Sequence, residues 1–245
     1  MFVSHLAVSD SRCTIQTSGC NFRCTGCFSA ARNICGKNLT PDDIIEAVNT
    51  HASEPAPGIR SCKPDKQNKI DVLIAGGEPT LYGDELIELI RGLGGRRVTL
   101  ATNGHLLDAD MIEKLPPCRV HINLKALTPS IHTQYTGVGN ENVCNAIHLL
   151  YEHSFDMEVE TVYIPDVVEA DEIERIAQFL SEIDTHIPFK IIRYIPANGF
   201  SRRPKRQEIE RAVGVASGYL KNVISSIDSR SHPRSRRIIS FSHIR

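Results

Sequence analysis

Six short runs rich in Val, Ile and Thr alternate with longer amphipathic segments along most of the chain. These runs predict buried β-strands at residues 13–17, 70–75, 97–102, 119–124, 157–164 and 189–194. Strand followed by helix, repeated in this way, is typical of an all-parallel sheet that is covered on both faces. The pattern therefore predicts one α/β domain, either a barrel or an open doubly wound sheet.

Helix signals support the same organisation. Thr40, followed by proline and two aspartates, is typical of a helix N-terminus. Apolar residues at helical spacing predict a helix over 173–183 and a last, long helix over 209–224. Beyond it, arginines stand among serines and histidines, which predicts a solvated basic tail without regular structure at 226–245. We therefore expect the folded domain to span 1–225.

Composition excludes several classes of function. The chain has 28 basic and 29 acidic residues, so nothing in its net charge of −1 predicts a nucleic-acid partner. No apolar run approaches the roughly 18 residues that span a bilayer. The start of the sequence lacks a signal-peptide pattern, and a chain this long buries a core without disulfides. We therefore expect its eight cysteines to be reduced and the protein to be cytoplasmic.

Cys20, Cys24 and Cys27 form a CxxxCxxC triad directly after the first predicted strand. Iron–sulfur clusters usually take four thiolates, so three leave one iron open to bind and activate a small molecule. A structural zinc site that also recruits Cys13 or Cys35 is the alternative, although zinc knuckles usually pair their cysteines. The triad favours an enzyme over a zinc-stabilised binding module.

Polar and glycine-rich residues follow the other predicted strands as well. In a parallel α/β fold, the carboxyl ends of the strands meet at one edge, so these residues are expected to face one cavity. They are Gly76, Gly77, Glu78, Asn103, Gly104, Asn123, Lys125, Arg193 and the run 196–199. Paired glycines let the backbone approach a ligand closely, and Glu78 can accept a hydrogen bond from an ammonium group.

The cysteine triad followed by Phe28 resembles the signature of the radical S-adenosylmethionine (radical SAM) superfamily. Gly76-Gly77-Glu78-Pro79 resembles the methionine-binding motif of that superfamily. The further order of motifs, over about residues 13–225, is similar to the pyruvate formate-lyase activating enzymes and related glycyl-radical activases. Those motifs are Thr102-Asn103-Gly104, Asn123-Leu124-Lys125, the run 131–139 and Arg193-Tyr194-Ile195-Pro196.

This resemblance implies a partial (β/α)6 barrel and an anaerobic oxidoreductase. It implies one [4Fe–4S] cluster held by Cys20, Cys24 and Cys27, with S-adenosylmethionine on the open iron. Reductive cleavage of that cofactor would yield a 5′-deoxyadenosyl radical, which abstracts hydrogen from a substrate carbon.

The same resemblance assigns further residues to S-adenosylmethionine. Backbone at Gly26 and Phe28 would pack on adenine. Gly77 and Glu78 would hold the methionine amino group. Asn123 and Lys125 would contact the ribose or the carboxylate, and Asn103 would support this side of the binding site.

The sequence also departs from the activating enzymes. They commonly carry aspartates where this chain has Ala101 and Asn123, so two carboxylates that could hold a cation are missing. Lys125 is then expected to carry more of the charge. Their Asp-Gly-Pro-Gly-Ile-Arg signature is replaced by the run 8–12.

The expected partners follow from the resemblance. They are a glycyl-radical enzyme, which would lose hydrogen from a backbone glycine, and a reducing donor such as flavodoxin or ferredoxin. The alternative substrate is another peptide or a small molecule. The missing signature keeps this alternative open.

Overall fold

The computed structural model describes residues 1–52, 70–227 and 237–241. Its strands are β1 (Phe2–Val8), β2 (Arg12–Thr17), β3 (Lys37–Asn38), β4 (Asp71–Gly76), β5 (Val98–Thr102), β6 (Arg119–Asn123), β7 (Met157–Tyr163), β8 (Phe189–Arg193), β9 (Val223–Ser225) and β10 (Arg237–Ser240). All six predicted strands are confirmed, as β2 and β4 to β8. Their Val, Ile and Thr residues alternate between buried and partly exposed positions, as the pleat of a strand requires.

One mostly parallel sheet contains all of these strands. The strand order is β10-β1-β2-β4-β5-β6-β7-β8-β9, and β3 pairs with β1. The segment from β2 to β9 is parallel throughout, whereas β1 is antiparallel to β2, β3 and β10. In the described part of the chain the two end strands, β9 and β10, do not pair, so the barrel stays open. This architecture confirms the predicted α/β class and partial (β/α)6 barrel.

In the described residues, seven α-helices connect the strands. They are α1 (Pro41–Ala52), α2 (Gly83–Gly92), α3 (Ala109–Lys114), α4 (Pro129–Thr136), α5 (Glu141–Glu152), α6 (Ala170–Ile183) and α7 (Arg206–Ala216). Their apolar stripes cover the sheet, so that Ile44 of α1, Leu86 of α2 and Ile176 of α6 are fully buried. A Cβ on Gly104 would contact both Ile122 of β6 and Val143 of α5, which places Ile122 on the helix side of the sheet. Neighbouring His121 and Asn123 therefore point to the opposite side, into the barrel.

The C-terminal region differs from the sequence expectation in two places. The last helix ends at Ala216 instead of continuing to residue 224, and Gly218 follows within a turn. Val223 and Ile224 then form β9 on β8, since β-branched residues suit an edge strand. The expected tail over 226–245 holds β10 at Arg237–Ser240, which pairs with the outer edge of β1, and Phe241 is buried. The rest of that tail, at 228–236 and 242–245, lies outside the described residues.

No helix in the described ranges combines the length and apolar character needed to cross a bilayer.

Candidate functional site

The loop after β2 carries the three motif cysteines, all as free, partly buried thiols. Their positive neighbour is Lys125, whose charge lowers the pKa of both Cys20 and Cys24. Burial outweighs it: the pKa of Cys20 is raised to about 11, and that of Cys24 is also raised. Both thiols therefore carry protons at neutral pH until a metal displaces them.

The spacing of these thiols bears on the choice between zinc and a cluster. Within the described ranges, the ligand atoms of three or more His, Cys, Asp or Glu side chains lie within 4.8 Å of one another only at His121, Glu158 and Glu160. The cysteine triad is spread more widely. A tetrahedral zinc ion draws its thiolates close together, whereas a cluster binds each thiolate on a different iron. The triad therefore fits a cluster better than a single zinc ion.

Helix α4 fixes one side of the cysteine loop. The backbone N–H of Arg23 donates to the carbonyl of Thr136 at 2.7 Å, and that of Thr25 donates to the carbonyl of Tyr135 at 3.0 Å. These two carbonyls belong to the last turn of α4, where carbonyls lack partners within the helix. The motif around 131–139 thus positions the cysteines through backbone bonds.

The segment after β8 fixes the other side. The backbone N–H of Gly26 donates to the carbonyl of Asn198, and the Asn198 side-chain amide donates to the carbonyl of Cys27 at 3.4 Å. Gly26 has a φ of +79°, and a Cβ there would lie 2.7 Å from the Phe200 ring and 2.8 Å from the Tyr194 hydroxyl. Only glycine fits this close approach. The sequence analysis placed 196–199 at the same edge but did not foresee these contacts with the cysteine loop.

The glycine-rich loop after β4 packs against the start of the cysteine loop. The N–H of Gly77 donates to Thr17 at 3.0 Å, and the N–H of Glu78 donates to Gly19 at 2.7 Å. A Cβ on Gly77 would lie 1.9 Å from the carbonyl oxygen of Gly19. The two loops therefore meet backbone to backbone, which a side chain at residue 77 would prevent.

We expect Gly77→Ala to separate these loops and to lower the free energy of unfolding by about 2–3 kcal/mol, as for other overpacked sites. Urea unfolding followed by circular dichroism measures this change. Gly139→Ala is the matched control, because a Cβ at Gly139 has no atom within 4 Å. Equal stability of the two variants would contradict the expectation.

Glu78 joins the glycine-rich loop to the loop after β5. Its side chain is 1% exposed. One carboxylate oxygen accepts from the Thr80 N–H, the Thr80 hydroxyl and the Thr102 hydroxyl at 3.1, 2.7 and 2.6 Å, and the other accepts from the Asn103 N–H at 2.7 Å. Burial raises the pKa of Glu78, and these four donors oppose that rise. The carboxylate thus has an internal role that sequence reasoning did not foresee.

Asn103 and Asn123 lie at two neighbouring strand ends, and Asn103 lies beside Cys20. The Asn103 amide donates to Asn21 Oδ1 at 2.7 Å and lies 4.0 Å from Cys20 Sγ. Asn123 Oδ1 is a buried acceptor with no donor among the residues that the structure describes. A buried acceptor of this kind needs a partner, which a bound ligand can supply.

The segment after Lys125 is held by a residue that the sequence analysis missed. Glu172, in the first turn of α6, is 1% exposed. It accepts from the backbone N–H groups of Leu127 and Thr128 and from the Thr128 hydroxyl, each at 2.6 Å. Glutamate in the first turn of a helix is common on surfaces, so its sequence position carries no signal for this role.

Phe28 is placed differently from the other predicted residues. Its side chain is 84% exposed, at the outer end of the cysteine loop. The structure therefore brings Cys20, Cys24, Asn103 and Lys125 together, with Glu78 bonded to the Asn103 backbone, and leaves the ring of Phe28 exposed.

A charged network that the sequence analysis did not assign lies deeper in the barrel. The Lys190 ammonium lies 2.5 Å from Glu160 and 3.5 Å from Glu158, and His121 Nδ1 lies 3.5 Å from Glu160. The alternation of polar residues in β6 and β7 is the sequence signal that could have found it. Burial raises the pKa of Glu160, but His121 and Lys190 outweigh burial and lower that pKa to about 2. Each carboxylate of the network therefore lies beside a cation, since Arg119 also lies 3.5 Å from Glu158.

We expect Lys190→Met to lower the free energy of unfolding at pH 7 by about 2–4 kcal/mol, because two largely buried carboxylates lose their ammonium. In the parent chain, the stability from Glu160 is present above its ordinary pKa of 4.5 and is lost as the pH falls through about 2. The variant should therefore unfold in acid at a higher pH.

Urea titrations at pH 7 and pH 4 measure both effects of Lys190→Met. Lys114→Met, which removes an exposed lysine paired with Asp110, should leave the urea midpoint unchanged. An unaltered midpoint in Lys190→Met would show that the network does not stabilise the barrel.

Comparison with known proteins identifies the family. The family model of the Radical SAM superfamily matches residues 14–180. The chain is 35% identical, over 98% of its length and 89% of the relative's, to a Methanocaldococcus jannaschii protein named "Putative glycyl-radical enzyme activating enzyme". It is 27% identical, over 67% of its length, to the indoleacetate decarboxylase activating enzyme of Tractidigestivibacter scatoligenes, of which it spans 50%.

Solved structures share the fold. Streptococcus suis SuiB bound to its precursor peptide SuiA superposes with a TM-score of 0.70 at 17% identity, over 87% of this chain and 48% of SuiB. A domain of the pyruvate-formate lyase-activating enzyme from Bacteroides vulgatus gives 0.56 at 20% identity, over 64% of this chain and 98% of that domain. With the family match, these findings show that the chain belongs to the radical SAM superfamily and is an oxidoreductase-type enzyme whose cofactors are a [4Fe–4S] cluster and S-adenosylmethionine.

Proposed function

We propose that Cys20, Cys24 and Cys27 hold the [4Fe–4S] cluster. Their free thiols, their wide spacing and the backbone bonds that fix their loop support this assignment. Three ligands leave one iron of a four-iron cluster open. When bound, the cluster and S-adenosylmethionine supply a radical that abstracts hydrogen, and the protein orients and shields it.

The residues around the loop are proposed to hold S-adenosylmethionine. Gly26 and Phe28 would offer backbone to the adenine, and Gly77 would offer backbone to the amino group. Glu78 would act mainly by keeping the glycine-rich loop in place, since its carboxylate already accepts four hydrogen bonds.

The remaining contacts are proposed to come from the ends of β5 and β6. The unpartnered oxygen of Asn123 suits a ribose hydroxyl, and Lys125 suits the carboxylate. Asn103 would support both from its place beside Cys20. Because Ala101 and Asn123 carry no charge, Lys125 is proposed to balance that carboxylate without a bound cation.

We further propose that the enzyme abstracts hydrogen from a backbone glycine of a partner glycyl-radical enzyme. The observation that carries this proposal is the 35% identity, over nearly the whole chain, to a protein named as an activating enzyme of that kind.

Another peptide or a small molecule is the second candidate substrate. The observation in its favour is the sequence at the start of the barrel, where the run 8–12 replaces the Asp-Gly-Pro-Gly-Ile-Arg signature that activating enzymes carry.

An anaerobic incubation distinguishes these two functions. The reconstituted enzyme is mixed with dithionite, S-adenosylmethionine and a glycyl-radical enzyme from the same organism. A glycine doublet in the EPR spectrum of the partner, absent when its radical glycine is changed to alanine, would support activation. Formation of 5′-deoxyadenosine without any doublet would contradict it and favour the other substrates.

The setting of the enzyme is also proposed. Reductive chemistry needs an electron donor, for which flavodoxin or ferredoxin is suitable, and free cysteines suit a reducing cytoplasm. A net charge of −1 offers nothing to attract nucleic acid.

Residues 1–225 are proposed as the catalytic domain and 226–245 as a basic extension that contributes β10 to the sheet.

A further inference from the structure

A cleft of about 470 Å³ lies beyond the carboxyl ends of β8 and β9, outside the group around the cysteines. It is lined by Ile192, Arg193, Ile195, Arg203, Arg206, Ser226 and Ile227. Arg206 is the first residue of α7, and Arg203 lies just before that helix. The cleft is therefore framed by two strand ends and the start of one helix.

The lining of this cleft combines positive charge with aliphatic surface. Of the described lining residues, three carry guanidinium groups, three are isoleucines and none is acidic. Guanidinium groups bind carboxylates and phosphates through paired hydrogen bonds. Isoleucine side chains instead favour an aliphatic group. The lining thus suits a ligand that carries both.

Arg193 is held rigidly in this cleft. Its Nε donates to the carbonyl of Pro204 at 2.7 Å, and its backbone N–H donates to the Ser226 hydroxyl at 2.8 Å. The Nη atoms of Arg193 are not part of either bond. An arginine fixed in this way loses little conformational freedom when it binds an anion.

The charges near Arg206 and Arg203 are distributed unevenly. Arg206 pairs with Glu210, one turn along the exposed face of α7, at 2.6 Å. Arg202, the neighbour of Arg203, instead pairs with Glu208, Asp166 and Glu169. Among the described residues, these carboxylates therefore lie against Arg202 and along the outer side of α7, and Arg193 and Arg203 give the cleft most of its positive lining.

The segment after β8 connects this cleft to the cysteine loop. Ile195, which is 62% exposed, lines the cleft. Three residues further on, Asn198 contacts the backbone of Gly26 and Cys27. A ligand in the cleft would therefore lie against the segment that supports the proposed cluster site.

We propose that this cleft binds an oxyanion, a carboxylate or a phosphate, carried on an aliphatic group of the substrate. The role in substrate binding rests on the proposed function, whereas anion binding itself rests on the cleft. The isoleucine lining favours an acidic aliphatic segment of a protein, such as Glu-Leu-Glu, over inorganic phosphate.

Isothermal titration of the reconstituted holoenzyme tests this proposal with three probes. They are acetyl-Glu-Leu-Glu-amide, its neutral Gln-Leu-Gln analogue and inorganic pyrophosphate. The variant is Arg203→Gln combined with Arg206→Gln. The control is Arg211→Gln, which removes one charge from an exposed position of α7 outside the cleft. All samples are first compared for thermal unfolding and for 5′-deoxyadenosine formation without a partner.

We expect the acidic peptide to bind the parent enzyme and Arg211→Gln alike, and the double variant about 10-fold more weakly or worse, since charge-assisted bonds are lost. The neutral peptide should not bind. Binding of pyrophosphate with the same variant dependence would also support the site and would identify phosphate as the anion source. Absence of binding by both charged probes, or an equal loss in Arg211→Gln, would overturn the proposal. If the parent enzyme formed no 5′-deoxyadenosine, that result would instead count against the proposed function alone.

Discussion

Cys24→Ala should lose formation of 5′-deoxyadenosine from S-adenosylmethionine to background while keeping its fold. Cys24 sits in a loop whose shape is set by backbone bonds from Arg23, Thr25 and Gly26. Removing one thiol leaves all of these bonds in place. Most of the barrel core is built from the strands and helices; the loop contributes Phe22 to it, whereas Cys24 only packs against its edge. The loss should therefore concern metal and cofactor chemistry, with little change in secondary structure.

The measurement combines iron and sulfide content after anaerobic reconstitution, circular dichroism, and the nucleoside assay. Cys35→Ala is the matched control, because this cysteine is exposed and only its backbone is bonded, to Ser18. It should reconstitute and cleave the cofactor as the parent does. Global unfolding of Cys24→Ala would mean that the metal is structural, and full activity would remove Cys24 from the proposed site.

Glu78→Ala should destabilise the protein by about 3–5 kcal/mol, because four buried donors lose their acceptor at once. The donors come from Thr80, Thr102 and Asn103, so the substitution removes the hydrogen bonds that connect the glycine-rich loop to the loop after β5. Asn103 would then lose its fixed place beside Cys20. We expect weaker cofactor binding in addition to the lost stability.

Urea unfolding of the metal-free protein separates the two effects, because it reports on the loops without the cofactor. Glu78→Gln keeps the shape but sets an amide N–H against a donor, so its stability should fall between those of the parent and Glu78→Ala. Glu88→Ala, at an exposed position of α2, is the control and should unfold as the parent does. A parent-like unfolding curve for Glu78→Ala would show that the four bonds contribute no net stability.

The strands of the barrel were predictable because parallel strands with a fully buried face leave a strong local pattern. Runs of Val, Ile and Thr mark β2 and β4 to β8 without any knowledge of their neighbours. The edge strands were harder to predict. β9 has only Val223–Ser225, and its two β-branched residues continue the apolar period of the preceding helix. β10 forms because the outer edge of β1 is available for pairing, which a basic segment does not reveal by itself.

The candidate site likewise has one part that the sequence predicts and another that it does not. The cysteine spacing and the paired glycines are local motifs, so the sequence alone determined the cofactor class and the parallel α/β architecture. Only the tertiary structure decided what Glu78, Glu172 and Asn198 contact, since each bonds to a segment distant in sequence.

The arginine-lined cleft and the charged network around Lys190 likewise join side chains from separate elements. Local spacing carries information about backbone conformation and motif chemistry. Side chains that the chain topology brings together from distant segments leave no periodic pattern in the sequence. The sequence therefore determined which chemistry this protein performs, and the folded barrel decided which residues hold that chemistry in place.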